Sequence, residues 1–192
     1  MFSNIPFTPI AEDREKHKNT WKFVLFGKIT DSWNPYELLH QIESARVKHK
    51  IDYCSFYSIG KVSKNGQKIW NDVARKGKKL YPSFTFYCEG EITQKEVSFH
   101  LQTSNFGLSV TPSALLQKSG SVAAMLSHGL PVIVSRLSDQ YDEYHKSITE
   151  NNRFILLDGN FQDKLVLIDR VTPYDSFLET MEKFQHDISA YY

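Results

Sequence analysis

The residues best suited to hold an anion stand together at Lys118-Ser119-Gly120-Ser121, immediately ahead of the apolar run 122–126. A helix that opens there presents amide N–H groups that have no partner inside the helix and carry partial positive charge. Two hydroxyls, an ammonium and a glycine that admits close approach complete the composition of a phosphate cradle. Thr111-Pro112 lies just upstream at a strand end, Gly129 stops the helix, and Pro131 opens the next apolar run.

Three more apolar runs end in a glycine followed by a charge: Gly27-Lys28, Gly60-Lys61 and Gly90-Glu91-Ile92. Each alone reads as a turn. Together they suggest one edge of a sheet at which several backbone loops could approach a ligand. Lys28, Lys118 and Glu91 are equally readable as solvated surface charges, and His128, just before Gly129, as a helix-end cap. Arg136 is a second cation at the end of the fifth strand. Asp139, Asp142 and Glu143 invite a metal reading but suit a solvated acidic helix better, and no bound metal is expected. No Ser/His/Asp or Cys/His constellation is legible. The absence of GxGxxG after the first strand and of GxxxxGK[ST] argues against dinucleotide and P-loop sites.

The elements that must position these groups alternate in type. Strands are expected over 21–29, 51–62, 83–87, 106–110, 131–135 and 154–157. Asn34-Pro35 opens a helix with Leu38, Leu39, Ile42 and Ala45 on one face. Further helices are expected over 68–80, from Thr93 with Glu96 completing a capping box, over 121–127, and over 174–192. The strands are continuously apolar rather than alternating, as in sheets covered on both faces. The expected fold is α/β, a doubly wound, Rossmann-like parallel sheet of about six strands flanked by helices. In such sheets ligands sit beyond the carboxyl ends of the strands. Residues 1–20 read as a linker or strap, and residues 21–192 as one domain.

The 192 residues, 41% hydrophobic and 14% aromatic, suit one globular domain. A net charge of +1 gives no reason to expect a nucleic-acid partner. The charge is uneven, with Arg75-Lys76-Gly77-Lys78-Lys79 as its densest cluster. This cluster is either a solvated helix end favoured by the dipole or a contact for an anionic membrane or partner. Cys54 and Cys88 have no metal-ligand spacing and read as two buried free thiols. With no apolar leader and no run of 18 apolar residues, a cytoplasmic location is expected, with peripheral membrane contact as an open option.

The pattern resembles the C-terminal, nucleotide-sugar-binding half of GT-B glycosyltransferases of the retaining group 1 type. The matching features are Phe26-Gly27-Lys28, Glu89-Gly90-Glu91-Ile92, the stretch from Gly107 to Pro112, and the block from Ala124 to Ile133. The order and spacing hold over roughly residues 20–160. The resemblance implies a nucleoside diphosphate sugar as substrate and no further cofactor. Gly27 and Lys28 would face the diphosphate, and Gly90, Glu91 and Ile92 would border the nucleobase. Thr111, Lys118, Ser119, Gly120 and Ser121 would hold phosphate or sugar. The pair of glutamates that the family commonly carries eight apart is replaced here by Leu116 and Ala124. The resemblance also implies that an N-terminal acceptor domain, or a partner chain, is needed for transfer. Two other readings stand beside it: a non-catalytic nucleotide-sugar- or partner-binding module of the same fold, and an unrelated flavodoxin-like nucleotide-binding domain.

Overall fold

The computed structural model describes residues 5–10, 19–137 and 153–173. The expected helix at 174–192, the charged run 12–18 and the acidic group Asp139, Asp142 and Glu143 lie outside the described residues.

Among the described residues, six parallel strands form one sheet in the order β3-β2-β1-β4-β5-β6. In chain order they are β1 (Thr20–Phe26), β2 (Tyr53–Ile59), β3 (Phe84–Gly90), β4 (Phe106–Ser109), β5 (Val132–Val134) and β6 (Phe154–Leu156). The helices are α1 (Tyr36–Lys48), α2 (Lys64–Leu80), α3 (Gln94–Thr103), α4 (Gly120–Ser127) and α5 (Phe161–Leu167), with a 3-10 helix at Ser113–Lys118. The order reverses between β1 and β4, which is the switch point of a doubly wound sheet.

Burial on both faces explains the continuous apolar strands. Trp21, Phe23 and Leu25 of β1 join Phe56, Phe84, Phe106 and Ile133 in a core closed by α1, α2 and α5. Val24 of β1 points the other way, into a second core with Ile59, Val97, Leu101, Leu116 and Val132 beneath α3 and α4. The first core is aromatic, with Phe23 stacked on Phe56 at 4.8 Å between ring centroids and Phe56 on Phe86 at 4.9 Å. Such offset rings contribute roughly 0.5–1.5 kcal/mol each beyond their buried area.

The helix faces follow the sequence pattern. α1 buries Leu38, Leu39, Ile42 and Ala45, the four residues expected on its inner stripe. α3 opens with the expected capping box, in which Thr93 and Glu96 satisfy each other's backbone N–H. α2 begins four residues before the expected start, because Ser63 Oγ accepts from the Gly66 N–H and caps the extra turn. The loop expected between β4 and α4 instead contains the 3-10 helix, drawn inward by buried Ser113 and Leu116. α5 was not expected; its seven residues bury only Phe161 and Leu165. Cys54 is buried as expected, but Cys88 is exposed. β3 is an edge strand, and its ladder with β2 breaks at Ser58/Ile59, where the outer strand carries an extra residue.

Ile5 and Thr8, ahead of β1, pack on the domain. Ile5 is buried in the second core. The Thr8 N–H donates to Ser98 Oγ at 3.0 Å, and Gln102 Nε2 donates to the Thr8 carbonyl at 2.6 Å. Ser98 also receives Gln102 Nε2 at 3.0 Å and meets His128 Nε2 at 2.9 Å. One proton arrangement suits both Ser98 and the neutral ring. His128 Nδ1–H donates to the Ala124 carbonyl at 2.8 Å, and the Ser98 hydroxyl donates to Nε2. Burial holds the His128 pKa below the ordinary histidine value, which keeps the ring neutral as that arrangement requires.

Candidate functional site at the carboxyl edge

The strand ends place three glycines side by side. The Gly27 N–H donates to the Ile59 carbonyl at 3.0 Å, and the Gly60 N–H donates to the Gly90 carbonyl at 2.7 Å. Gly60 is so close to Gly27 that a Cβ on it would stand 3.3 Å from the Gly27 nitrogen. Gly27 has φ +109°, a conformation that side-chain-bearing residues rarely adopt, and it turns the chain out of β1 at once.

On its other side Gly27 meets α4. A Cβ on Gly27 would lie 3.4 Å from Ser121 Cβ and 3.6 Å from Ser121 Oγ. The end of β1 and the first turn of α4 are therefore in contact across the point where the strand order reverses. Ser119 is the N-cap of α4, its Oγ accepting from the Val122 N–H at 3.4 Å. Its hydroxyl also receives the Thr111 hydroxyl at 3.3 Å and lies 3.1 Å from Ser121 Oγ. The sequence offers Thr111, Ser119 and Ser121 as separate candidates, and the fold joins them into one hydroxyl chain. Their spacing hinted at this only in part, because a 3-10 helix had to fold Thr111 back onto the helix cap.

The cations lie around this line. Lys28 and Lys118 are both exposed. Lys118 ends the 3-10 helix, two residues before α4, so it flanks the helix entrance rather than forming part of it. Arg136 follows β5, and its guanidinium donates to the Val110 carbonyl at 3.4 Å, at the end of β4. Gly120 is open, with no atom within 4 Å of where its Cβ would stand; the same is true of Gly90. Glu91 is exposed, whereas Ile92 is partly buried and packs against the second core. Leu116 and Ala124 are both buried.

The edge thus offers a helix N-terminus, hydroxyls and ammonium groups, the chemistry of an anion site. Cys54 is poorly suited to nucleophilic catalysis, since burial pushes its thiol up to about 12. No group of histidine, cysteine and carboxylate side chains among the described residues could hold a metal ion. Nor is any helix among them long and apolar enough to cross a membrane. A second concavity opens at the opposite, amino edge, between Trp21, Asn105, Phe106, Leu165 and Arg170. Two of its polar groups serve the fold: Arg170 donates to the carbonyls of Leu101 and His128, and Asn105 Oδ1 receives the Lys22 N–H.

No protein family and no curated protein matches the chain. Among solved structures it is similar to one described as trehalose-6-phosphate from E. coli bound with UDP-2-fluoro glucose, at 12% identity and a TM-score of 0.49. That match covers 79% of this chain and 36% of the other. It is also similar to WaaG, a glycosyltransferase involved in lipopolysaccharide biosynthesis, at 16% identity and a TM-score of 0.43, covering 79% of this chain and 37% of that one. Neither score carries more than the strand order already does. The chain is similar to both structures over 79% of its length and spans little more than a third of each.

Proposed function

We propose that the carboxyl edge between β1 and β4 binds the diphosphate of a nucleoside diphosphate sugar, as the donor half of a glycosyltransferase. The observation that carries this reading is the contact of Gly27 with Ser121 at the strand-order reversal. It puts a side-chain-free loop against a serine-capped helix entrance, which is where a doubly wound sheet receives a phosphate. Lys118, Ser119, Gly120, Ser121 and Thr111 would hold the phosphates and stabilise the leaving diphosphate, with Gly27 and Lys28 opposite them. Gly90, Glu91 and Ile92 would border the base. The acceptor side would come from a further domain or a partner chain, so this chain alone is expected to bind and not to transfer.

A second reading, a binding module without transferase activity, is favoured by one observation. At the two positions where the resembled family carries glutamates, this chain has Leu116 and Ala124, 1% and 0% exposed. These side chains belong to the core, and they leave no carboxylate there to grip a sugar.

Calorimetric titration of UDP, ADP and GDP into the protein and into Lys118→Ala tests the site. A charge-assisted contact is worth roughly 1.5–3 kcal/mol, so the variant should bind the preferred diphosphate about 10-fold or more weakly. Its thermal melt should not change, because Lys118 is exposed. Equal affinity with an equal melt, or no diphosphate binding by the unaltered protein, would remove the helix entrance as the donor site. Sugar transfer by this chain alone would overturn the dependence on an acceptor partner.

A further inference from the structure

The outer face of α2 carries a line of cations, interrupted by Asn71 between Lys68 and Arg75. At 3.6 residues per turn, Lys64, Lys68, Arg75, Lys78 and Lys79 fall within about 100° of arc, opposite the inner stripe. That inner stripe is Gly66, Trp70, Val73 and Gly77, all buried, while the five cations are all exposed. The line runs for about 22 Å along the helix at 1.5 Å per residue. With Lys76, the helix carries six basic residues and a single acidic one, Asp72, in a chain whose net charge is only +1. Asp72 is engaged by Arg75 at 2.9 Å, and Lys76 lies over the Tyr36 ring at 5.2 Å.

Folding alone does not account for this arrangement. Lys78 and Lys79 suit the negative end of the helix dipole, but Lys64 opens the helix at its positive end, and no acidic residue stands in the first turn. Lys64 with Lys68 and Arg75 with Lys79 are like charges four residues apart, a spacing that costs an isolated helix a few tenths of a kcal/mol per pair. An external anion would offset that repulsion.

The composition distinguishes among anions. Four of the five cations on the stripe are lysines, compact hydrated charges without the planar fork that reads bases or clamps a single phosphate, and the one arginine is already paired. No aromatic ring lies on the outer arc to stack a base; Trp70 faces inward. At the end of α2, Leu80 is 61% exposed but lies about 150° around the helix from the middle of the stripe, on the flank of the inner face. Val47, 60% exposed, stands at the same end of the neighbouring α1, next to Lys48. A spread of lysines with an exposed apolar side chain near its end matches an anionic lipid surface, where charge draws the protein in and apolar groups enter the headgroup layer.

From this we infer that α2 is a docking face for a membrane rich in anionic lipid, distinct from the carboxyl-edge site and independent of what that site binds. The test is flotation of the whole protein with phosphatidylcholine vesicles, with and without phosphatidylglycerol. Binding is expected only with the anionic lipid and should weaken at high salt. Each surface cation is worth about fivefold in partitioning, so Lys68→Gln/Lys79→Gln should bind about 30-fold more weakly. Removing a cation from the opposite face of the sheet, in Lys95→Gln, should leave most of the binding, with equal melts for all three proteins. No binding to anionic vesicles, or a loss per charge removed in Lys95→Gln equal to that in the double variant, overturns the proposal. Stripe-dependent binding to duplex DNA at a salt concentration where vesicles are not bound would overturn it in favour of nucleic acid.

Discussion

The two edges of this sheet use the same kinds of residue for opposite ends. At the amino edge, Gly129 has φ +73° and a Cβ on it would stand 2.0 Å from the Val171 carbonyl oxygen, so the glycine exists because another stretch of backbone fills its place. At the carboxyl edge, Gly90 and Gly120 have nothing within 4 Å. The polar groups divide in the same way. Around the amino edge, Arg170 closes on the carbonyls of Leu101 and His128, and the Ser98–His128–Gln102 network pins residue Thr8. Around the carboxyl edge the hydroxyls of Thr111, Ser119 and Ser121 bond mostly to one another, and Lys28 and Lys118 face water. One edge has its polarity consumed by folding, and the other keeps it available. This difference locates a binding site better than glycine content does, since both edges have glycines.

The contrast can be broken most sharply at Gly129. Gly129→Ala forces a Cβ into backbone at a left-handed φ, and a destabilisation of about 3 kcal/mol or more is expected. Urea denaturation monitored by tryptophan fluorescence measures it. A loss under about 1 kcal/mol would mean that the 168–173 segment does not seal this edge. A smaller effect is expected at Lys22, whose ammonium is half buried, donates to Thr103 Oγ1 at 2.8 Å and lies 4.5 Å over the Tyr57 ring. Burial lowers its pKa from 10.5 to about 8, against the raising influence of Glu89. The unfolded chain therefore binds more protons than the folded one between those values, and stability rises with pH across that window. It is fully present above 10.5 and lost as pH falls through about 8. Melts from pH 7 to 10 should show this rise in the natural protein and not in Lys22→Met, which keeps the stem and drops the charge. Parallel pH profiles for the two proteins would mean the ammonium is effectively solvated.

The smallest change in stability belongs to the open edge. Gly120→Ala introduces a Cβ into empty space at the first residue of α4, and helix propensity favours it by at most about 1 kcal/mol. The melt should hold or rise slightly while diphosphate affinity falls, because the methyl group narrows the helix entrance. If affinity is untouched, ligand does not approach the backbone at Gly120, and the openness of this edge serves something else.

Some of this was legible without a structure. The apolar runs located all six strands, since burial on both faces requires continuous hydrophobicity wherever a strand lies. Spacing located the inner faces of α1 and the capping box of α3, because both depend on residues within four positions of each other. Local signals were missed where they were short: Ser63 capping α2, and Phe161 with Leu165 as the whole apolar face of α5. The burial expected for Cys88 failed for a non-local reason, since only strand order makes β3 an edge.

Residue types by themselves determined that this chain folds as an α/β sheet and that its strand ends carry glycines, hydroxyls and lysines. Only the tertiary structure decided that β4 lies beside β1, which sets Gly27 against Ser121 and gathers Thr111, Ser119 and Ser121 into one chain. It also decided that Gly129 is filled while Gly120 stays open. Pairing between strands 80 residues apart in sequence is fixed by which faces can be buried together, and no window of neighbouring residues contains that information.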